Sequence, residues 1–354
     1  MNKDFSTSPS PRESEDLPIG GQAVIEGVMI RAQERIVTAV RTPDRGILVR
    51  EEEHIPWSRR LRLFGVPVVR GAVSFFEMAI IGVRTLNFSA DMAMQAEARQ
   101  QGEPEQATSS GQNRLALALT VAISLAAGVG IFFFLPLFAA ELSGAARDAF
   151  RFNLLAGSVR LALFILYLWG LSHWSEIRRV FEYHGAEHKS IFTQEAGDDL
   201  TVARARKYGR LHPRCGTSFL LIVVLVSILA FALVDSAVAE AIGRRQSLIE
   251  RFATHLCVLP LISGVSFELL KLSGRKRNHP LTRLLIAPGL WLQRITTREP
   301  DDAQLEVALV ALSRALGLPA VAAYGVCPED GLTPSEEGRV EAAEPPQLSD
   351  RVGE

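Results

Sequence analysis

The chain has 354 residues, with 38 Lys+Arg against 39 Asp+Glu, a net charge of −1 and 48% hydrophobic residues. That near-neutral balance gives no support to a nucleic-acid binder working through a global basic field. Three widely spaced cysteines, Cys215, Cys257 and Cys327, exclude a disulfide-stapled secreted scaffold.

Residues 1–17 hold Pro, Ser and charges without an apolar stretch, so they read as a disordered tail and no cleavable signal peptide is expected. Residues 18–96 read as a cytoplasmic part with a small β-rich unit at its start. There RIVTAVRT and GILVREEE flank Pro43-Asp44-Arg45-Gly46, a hairpin signal. The glycine-containing run from Gly20 to Met29 matches neither a P-loop nor a dinucleotide turn, so its glycines serve tight turns or close backbone approach. Glu26 is its one candidate for reaching a metal centre. From Val66 to Asp91 the pattern is helical, and Arg70, Glu77, Arg84 and Asp91 form a polar stripe on an otherwise apolar cylinder. Such a helix lies in a membrane interface, packs its stripe inside a bundle, or simply solvates its charges.

After a polar linker, residues 97–113, comes a membrane domain, 114–317. Leu115 to Ala140 runs without a charge and is long enough to cross a hydrocarbon core of roughly 30 Å. Further spans are expected near 154–174, 217–234 and 252–272. Segment 175–216 is rich in Lys and Arg, and so is the stretch after the last span. The positive-inside rule then places both termini and 175–216 on the cytoplasmic side. PLTRLLIAPGLWLQ, interrupted by Pro288-Gly289, is too short to cross and reads as re-entrant or surface-lying. Glu299-Pro300-Asp301-Asp302 reads as a helix start ahead of LEVALVALSRAL, and 318–354 as a mostly disordered tail.

Chemistry concentrates in segment 175–216. In His184-Gly185-Ala186-Glu187-His188 the imidazoles stand four apart, on one face of a helix, so both can reach one ion. Glu187 is placed to take a proton from a water at that ion, in the order of the inverted zincins. His212 and Cys215, directly before the third span, return to the same membrane end if the spans pack antiparallel. His184, His188, His212 and Cys215 are therefore the expected metal ligands, with His212 the first choice for the third position. Three ligands and Glu187 as general base make a catalytic centre, whereas four protein ligands make a structural one. Glu195, Asp198 and Asp199 remain alternative carboxylate ligands. A divalent transition metal, zinc first, is the expected cofactor. Elsewhere Glu268 is expected to pair with Lys271 or Arg160, and no partner is expected for His54, His173, His255 or His279.

Four segments, GGQAVIEGVMIR at 20–31, YHGAEHKSI at 183–191, HPRCGTSFL at 212–220 and PGLWLQRITTREPDDAQLEVAL at 288–309, together resemble the YqhQ-like family. This resemblance spans about Pro18 to Leu316. It implies a bacterial multi-pass membrane protein built around a domain of unknown function, with a suspected metal and no substrate to carry over. The expected fold is an α-helical integral membrane protein of about four spans, a small β-containing part and amphipathic helices. The expected function is a metal-dependent hydrolase, of peptidase or amidase type, working on a membrane protein or lipid at the bilayer surface. The rival expectations are a non-catalytic scaffold or assembly factor with a structural metal, and a transporter using Arg160, Glu268 and Lys271.

Overall fold

The computed structural model describes residues 19–43, 46–101, 111–144, 149–275, 280–318 and 326–328. The chain enters through β1 (Ile19–Val24), β2 (Gly27–Ala32), β3 (Arg35–Arg41) and β4 (Ile47–Glu53), paired antiparallel in that order. Strand β5 (Val326–Pro328) adds in parallel to β4. Its three residues fall in the stretch expected to be a tail. The rest of that tail, residues 1–17, the Asp44-Arg45 turn, most of the linker and His279 lie outside the described residues. The sheet begins one hairpin earlier than the sequence signal at Pro43. The first turn, Ile25-Glu26, places Glu26 at φ +52°, and a Cβ on Gly27 would fall 2.2 Å from the Ala39 carbonyl oxygen. Only glycine allows β2 and β3 to approach so closely there.

Helix α1 (Val69–Gln101) follows, extending into the stretch expected to be linker. Next come α2 (Gly111–Val129) and α3 (Leu135–Leu142), joined by a π turn over Gly130–Phe134. Then α4 (Ala149–Leu171), α5 (Ser175–Glu195), α6 (Gly216–Ile242), α7 (Leu248–Arg275), α8 (Pro280–Thr296) and α9 (Asp302–Ala315) complete the longer helices among the described residues. Asp301 opens α9 with a capping box to Gln304, as the acidic start signal anticipates.

Both faces of the sheet are covered, because its strands alternate apolar residues on both sides. Val28, Ile30, Val37, Ala39, Ile47 and Val49 join the core formed with α5 and α9. Met29, Ile36, Val40 and Leu48 point the other way and meet Ile81 and Phe88 of α1. Helix α5 thus packs as one layer against the sheet. Its neighbour α9 returns from the far end of the sequence to fill the same layer.

Four stretches are long and apolar enough to cross a bilayer: Leu119–Leu142, Phe150–Leu171, Gly216–Ile242 and Leu248–Leu272. Two extend beyond the stretches expected from sequence, and charged residues in those extensions, Asp235 and Arg251, pair inside the bundle. Asp235 of α6 is buried and accepts from Asn153 Nδ2 at 2.9 Å, Arg251 at 2.8 Å and His255 Nε2 at 2.9 Å. Its charge therefore does not end the helix. His255, expected to lack a partner, also stacks on Phe231 with ring centroids 3.7 Å apart. Asp235→Ala leaves Arg251 buried and unpaired, so a loss of about 3–5 kcal/mol is expected. Thermal unfolding in detergent checks it, and Asp235→Ala with Arg251→Leu should recover part of the loss.

Glu268 pairs with Arg70 of α1 through two hydrogen bonds of 2.7 and 2.6 Å, not with Lys271 or Arg160. The sequence distance between α1 and α7 hides that pairing. Arg160 instead donates from Nε to the Phe132 carbonyl in the π turn, at 2.9 Å. A π turn frees backbone groups from the regular ladder, and this arginine takes one of them. Within the polar stripe of α1, Glu77 is buried and accepts from His54 Nε2 at 2.6 Å and Trp57 N–H at 2.7 Å, whereas Asp91 is exposed. His54 is thereby partnered too. Proline 288 does not break its segment: α8 runs through it as one helix.

Candidate metal centre

The centre is built where α5 crosses the start of α6 and the end of α8. Helix α5 carries His184, Glu187 and His188 on the face turned toward these elements. A Cβ on Gly185 would fall 2.1 Å from the Arg298 carbonyl oxygen, so α5 rests directly on the backbone after α8. That close approach brings the Thr296 carbonyl to His184 Nδ1 at 2.8 Å. The Arg210 carbonyl meets His188 Nδ1 at 2.6 Å. Carbonyl oxygens only accept, so both Nδ1 atoms carry hydrogen and each neutral ring keeps its Nε2 lone pair.

Those two Nε2 atoms turn toward one point. His184 Nε2 lies 3.2 Å from Cys215 Sγ, and His184, His188 and Cys215 each offer a ligand atom, all within 4.8 Å of one another. His188 Nε2 is buried and makes no hydrogen bond. A buried acceptor without a partner is costly, and an ion held by two imidazoles and a sulfur satisfies it. This donor set suits zinc and similar transition metals. Carbonyls behind both rings are the usual means of fixing a ligating imidazole.

Glu187 Oε2 stands 3.6 Å from His188 Nε2 and 3.9 Å from His184 Nε2. Glu187 is 4% exposed, and burial pushes its pKa above the usual carboxylate range, partly offset by the neighbouring His184 and His212. Burial likewise lowers the His188 imidazole, which keeps it neutral and available as a ligand. Gly21 of β1 forms one wall: a Cβ there would fall 2.6 Å from Glu187 Oε1. The glycine-rich run thus contributes a cradle for the carboxyl, as its reading for close approach anticipates.

His212, first choice for the third ligand, takes a different place. Its Nε2 meets Glu195 Oε1 at 3.1 Å, its Nδ1 accepts from the Arg214 backbone N–H at 3.2 Å, and its ring packs on Phe192. The spacing to Cys215 left the direction of this ring open, and its two nitrogens meet Glu195 and the Arg214 backbone while its ring lies 5.6 Å from that of His188. Among the alternative carboxylates, Glu195 also pairs with Arg214, and Asp198 accepts from Tyr208. Glu26 is held by Arg179 in two hydrogen bonds of 2.5 Å and serves the sheet unit. Gln293 escaped the sequence reading. It is buried in α8 and binds both the N–H and the carbonyl of His212, at 2.7 and 2.8 Å, and Ser218 at 3.1 Å. Only a polar residue inside the apolar segment PLTRLLIAPGLWLQ marks it.

Residues 66–318 match the family described as "Protein of unknown function (DUF1385)". The chain belongs to this family. It is also 34% identical over 310 residues to the "Uncharacterized protein YqhQ" of Bacillus subtilis (strain 168), covering 85% of this chain and 93% of that protein. No solved structure matches the chain. The matched stretch contains every member of the His184, Glu187, His188 and Cys215 cluster.

Gly185→Ala is expected to push α5 away from the Arg298 backbone, because a backbone oxygen cannot yield as a flexible side chain does. Loss of the carbonyl behind His184 should weaken metal binding about 10- to 100-fold. Competition with a chromogenic chelator measures it, and unchanged affinity would show that the contact does not orient the ring.

Proposed function

We propose that the protein is a metal-dependent membrane enzyme, a hydrolase of peptidase or amidase type, with its site at the cytoplasmic face of a bacterial inner membrane. One observation carries this reading. Two imidazoles with fixed tautomers and a cysteine sulfur converge beside a buried carboxyl. His184, His188 and Cys215 would hold the metal. When bound, a zinc ion supplies Lewis acidity and lowers the pKa of water at its open position toward ~7. Glu187 is the proposed general base, since it stands next to both imidazoles and burial raises the proton affinity of its carboxylate. Carbonyls of Thr296 and Arg210 hold the rings in place while protons move. The Lys- and Arg-rich segment around Arg204–Arg210 supports placing this end, and both termini, in the cytoplasm. A membrane-borne substrate, protein or lipid, follows from the position of Cys215 at the very start of a candidate span.

N-terminal labelling of membranes from cells with the wild-type chain and with Glu187→Gln tests the peptidase form. New peptide N-termini that depend on Glu187 are expected, and identical sets overturn it. Burial of His188 to 1% exposure favours a second reading, a structural metal in a scaffold or assembly factor. In that case Cys215→Ser unfolds the protein and no hydrolysis is found. A transporter gains no support from Arg160, Glu268 and Lys271, because Arg160 and Glu268 serve the π turn and α1.

A further inference from the structure

The stretch between the sheet and α1 is short, basic and apolar at once: Trp57-Ser58-Arg59-Arg60-Leu61-Arg62-Leu63-Phe64-Gly65-Val66. Leu61, Leu63 and Val66 are exposed, at 57, 68 and 46%. Arg60 and Arg62 are exposed and pair with nothing among the described residues, while Arg59 reaches Glu34 at 2.9 Å. The chain folds here into two single helical turns, Trp57–Arg60 and Arg62–Gly65, which satisfy much of the local backbone.

Its position relative to the bundle is fixed at both ends. At the base, buried Glu77 accepts from His54 and the Trp57 N–H. At the tip, Val68 adopts φ +70°, a conformation that a β-branched residue takes only when its surroundings impose it. Gly264 and Glu268 of α7 impose it. A Cβ on Gly264 would fall 2.2 Å from the Val68 carbonyl oxygen, and Glu268 also binds Arg70. Gly264 lies about 12 Å inside the end of the fourth candidate span, at 1.5 Å for each of the residues up to Leu272. The strained turn thus ties the tip to a level where the bundle is surrounded by hydrocarbon, if the four apolar helices cross the membrane.

We infer that residues 57–66 form a re-entrant lip that inserts into the cytoplasmic leaflet and binds anionic phospholipid. Leu61, Leu63 and Val66 enter the acyl region beside α7, while Arg60 and Arg62 extend back to the headgroup phosphates. Exposed apolar side chains beside a candidate span, and arginines without a partner among the described residues, select an anionic bilayer as the occupant. This inference rests on the four helices spanning the membrane, but not on the metal centre.

The test uses the full chain in nanodiscs of equal phosphatidylglycerol and phosphatidylcholine. The photo-crosslinker p-benzoyl-phenylalanine replaces Leu63 in one variant and lipid-facing Leu229 of α6 in another. Phospholipid adducts at both positions are expected, with phosphatidylglycerol enriched at Leu63 by at least about threefold. Adding Arg60→Glu and Arg62→Glu should return the adducts to the nanodisc composition. Adducts at Leu229 alone overturn the lip and leave the spans standing, and adducts at neither position overturn both. A crosslink from Leu63 to a second copy of the chain would make the patch a subunit interface and also overturn the proposal.

Discussion

Protein purified without chelators should carry about one transition-metal ion per chain, and His184→Ala or His188→Ala should carry none, by elemental analysis. Each substitution removes one of the three donors that converge beside Glu187, and no other His, Cys, Asp or Glu among the described residues joins that group. His212→Ala separates two arrangements. With its nitrogens on Glu195 and the Arg214 backbone, His212 supports the site from behind, so a variant that retains most of the metal is expected. Equal loss in all three variants would make His212 a ligand. A folded wild-type protein without metal would remove the hydrolase reading altogether, leaving His184–His188 as packing at the membrane surface.

Glu187→Gln is expected to keep the metal yet lower hydrolysis about 10²- to 10⁴-fold, the usual contribution of a positioned general base. It should also change how the metal-free protein responds to pH. Burial raises the Glu187 pKa in the folded state, so the folded chain binds more protons than the unfolded one. Its contribution to stability is therefore complete at low pH and declines as pH rises from the ordinary carboxylate range through the raised value. Glutamine does not titrate and should flatten that decline. Melting curves of both metal-free proteins at pH 5 and pH 8 check the sign: the wild type should lose more on going up. A hydrolase that keeps its rate after the substitution would require another base.

The parts of this architecture written locally were open to sequence reading. Long apolar runs marked the four candidate spans, and the spacing of His184 and His188 gave the shared face, because both depend only on residues close in the chain. Asp301 and its neighbours marked the start of α9 for the same reason. What escaped depends on partners far away. Asp235 reads as the end of a hydrophobic run until Arg251, His255 and Asn153 are seen around it. Glu268 looked nearest to Lys271, yet its mate is Arg70, on a helix that precedes every span. Gly21 revealed a tolerance for close approach but not that Glu187 would be the neighbour. The ring of His212 had two directions available, and a glutamate and a backbone N–H settled which one it took.

The two carbonyls behind the imidazoles come from different parts of the chain, Arg210 just before α6 and Thr296 at the end of α8. The His184–Thr296 contact closes a loop of 112 residues that contains two candidate spans. In a growing chain both histidines are made after the first two candidate spans, and one of them stays unsupported until α8 has emerged. On the proposed metal-binding reading, capture would be a late event in biogenesis, after α6 and α7 have been made. A chain cut off before Thr296 would present every cluster residue and still lack the scaffold that aims them. Loading, on that reading, would follow the order in which the cluster residues and their supporting carbonyls leave the ribosome.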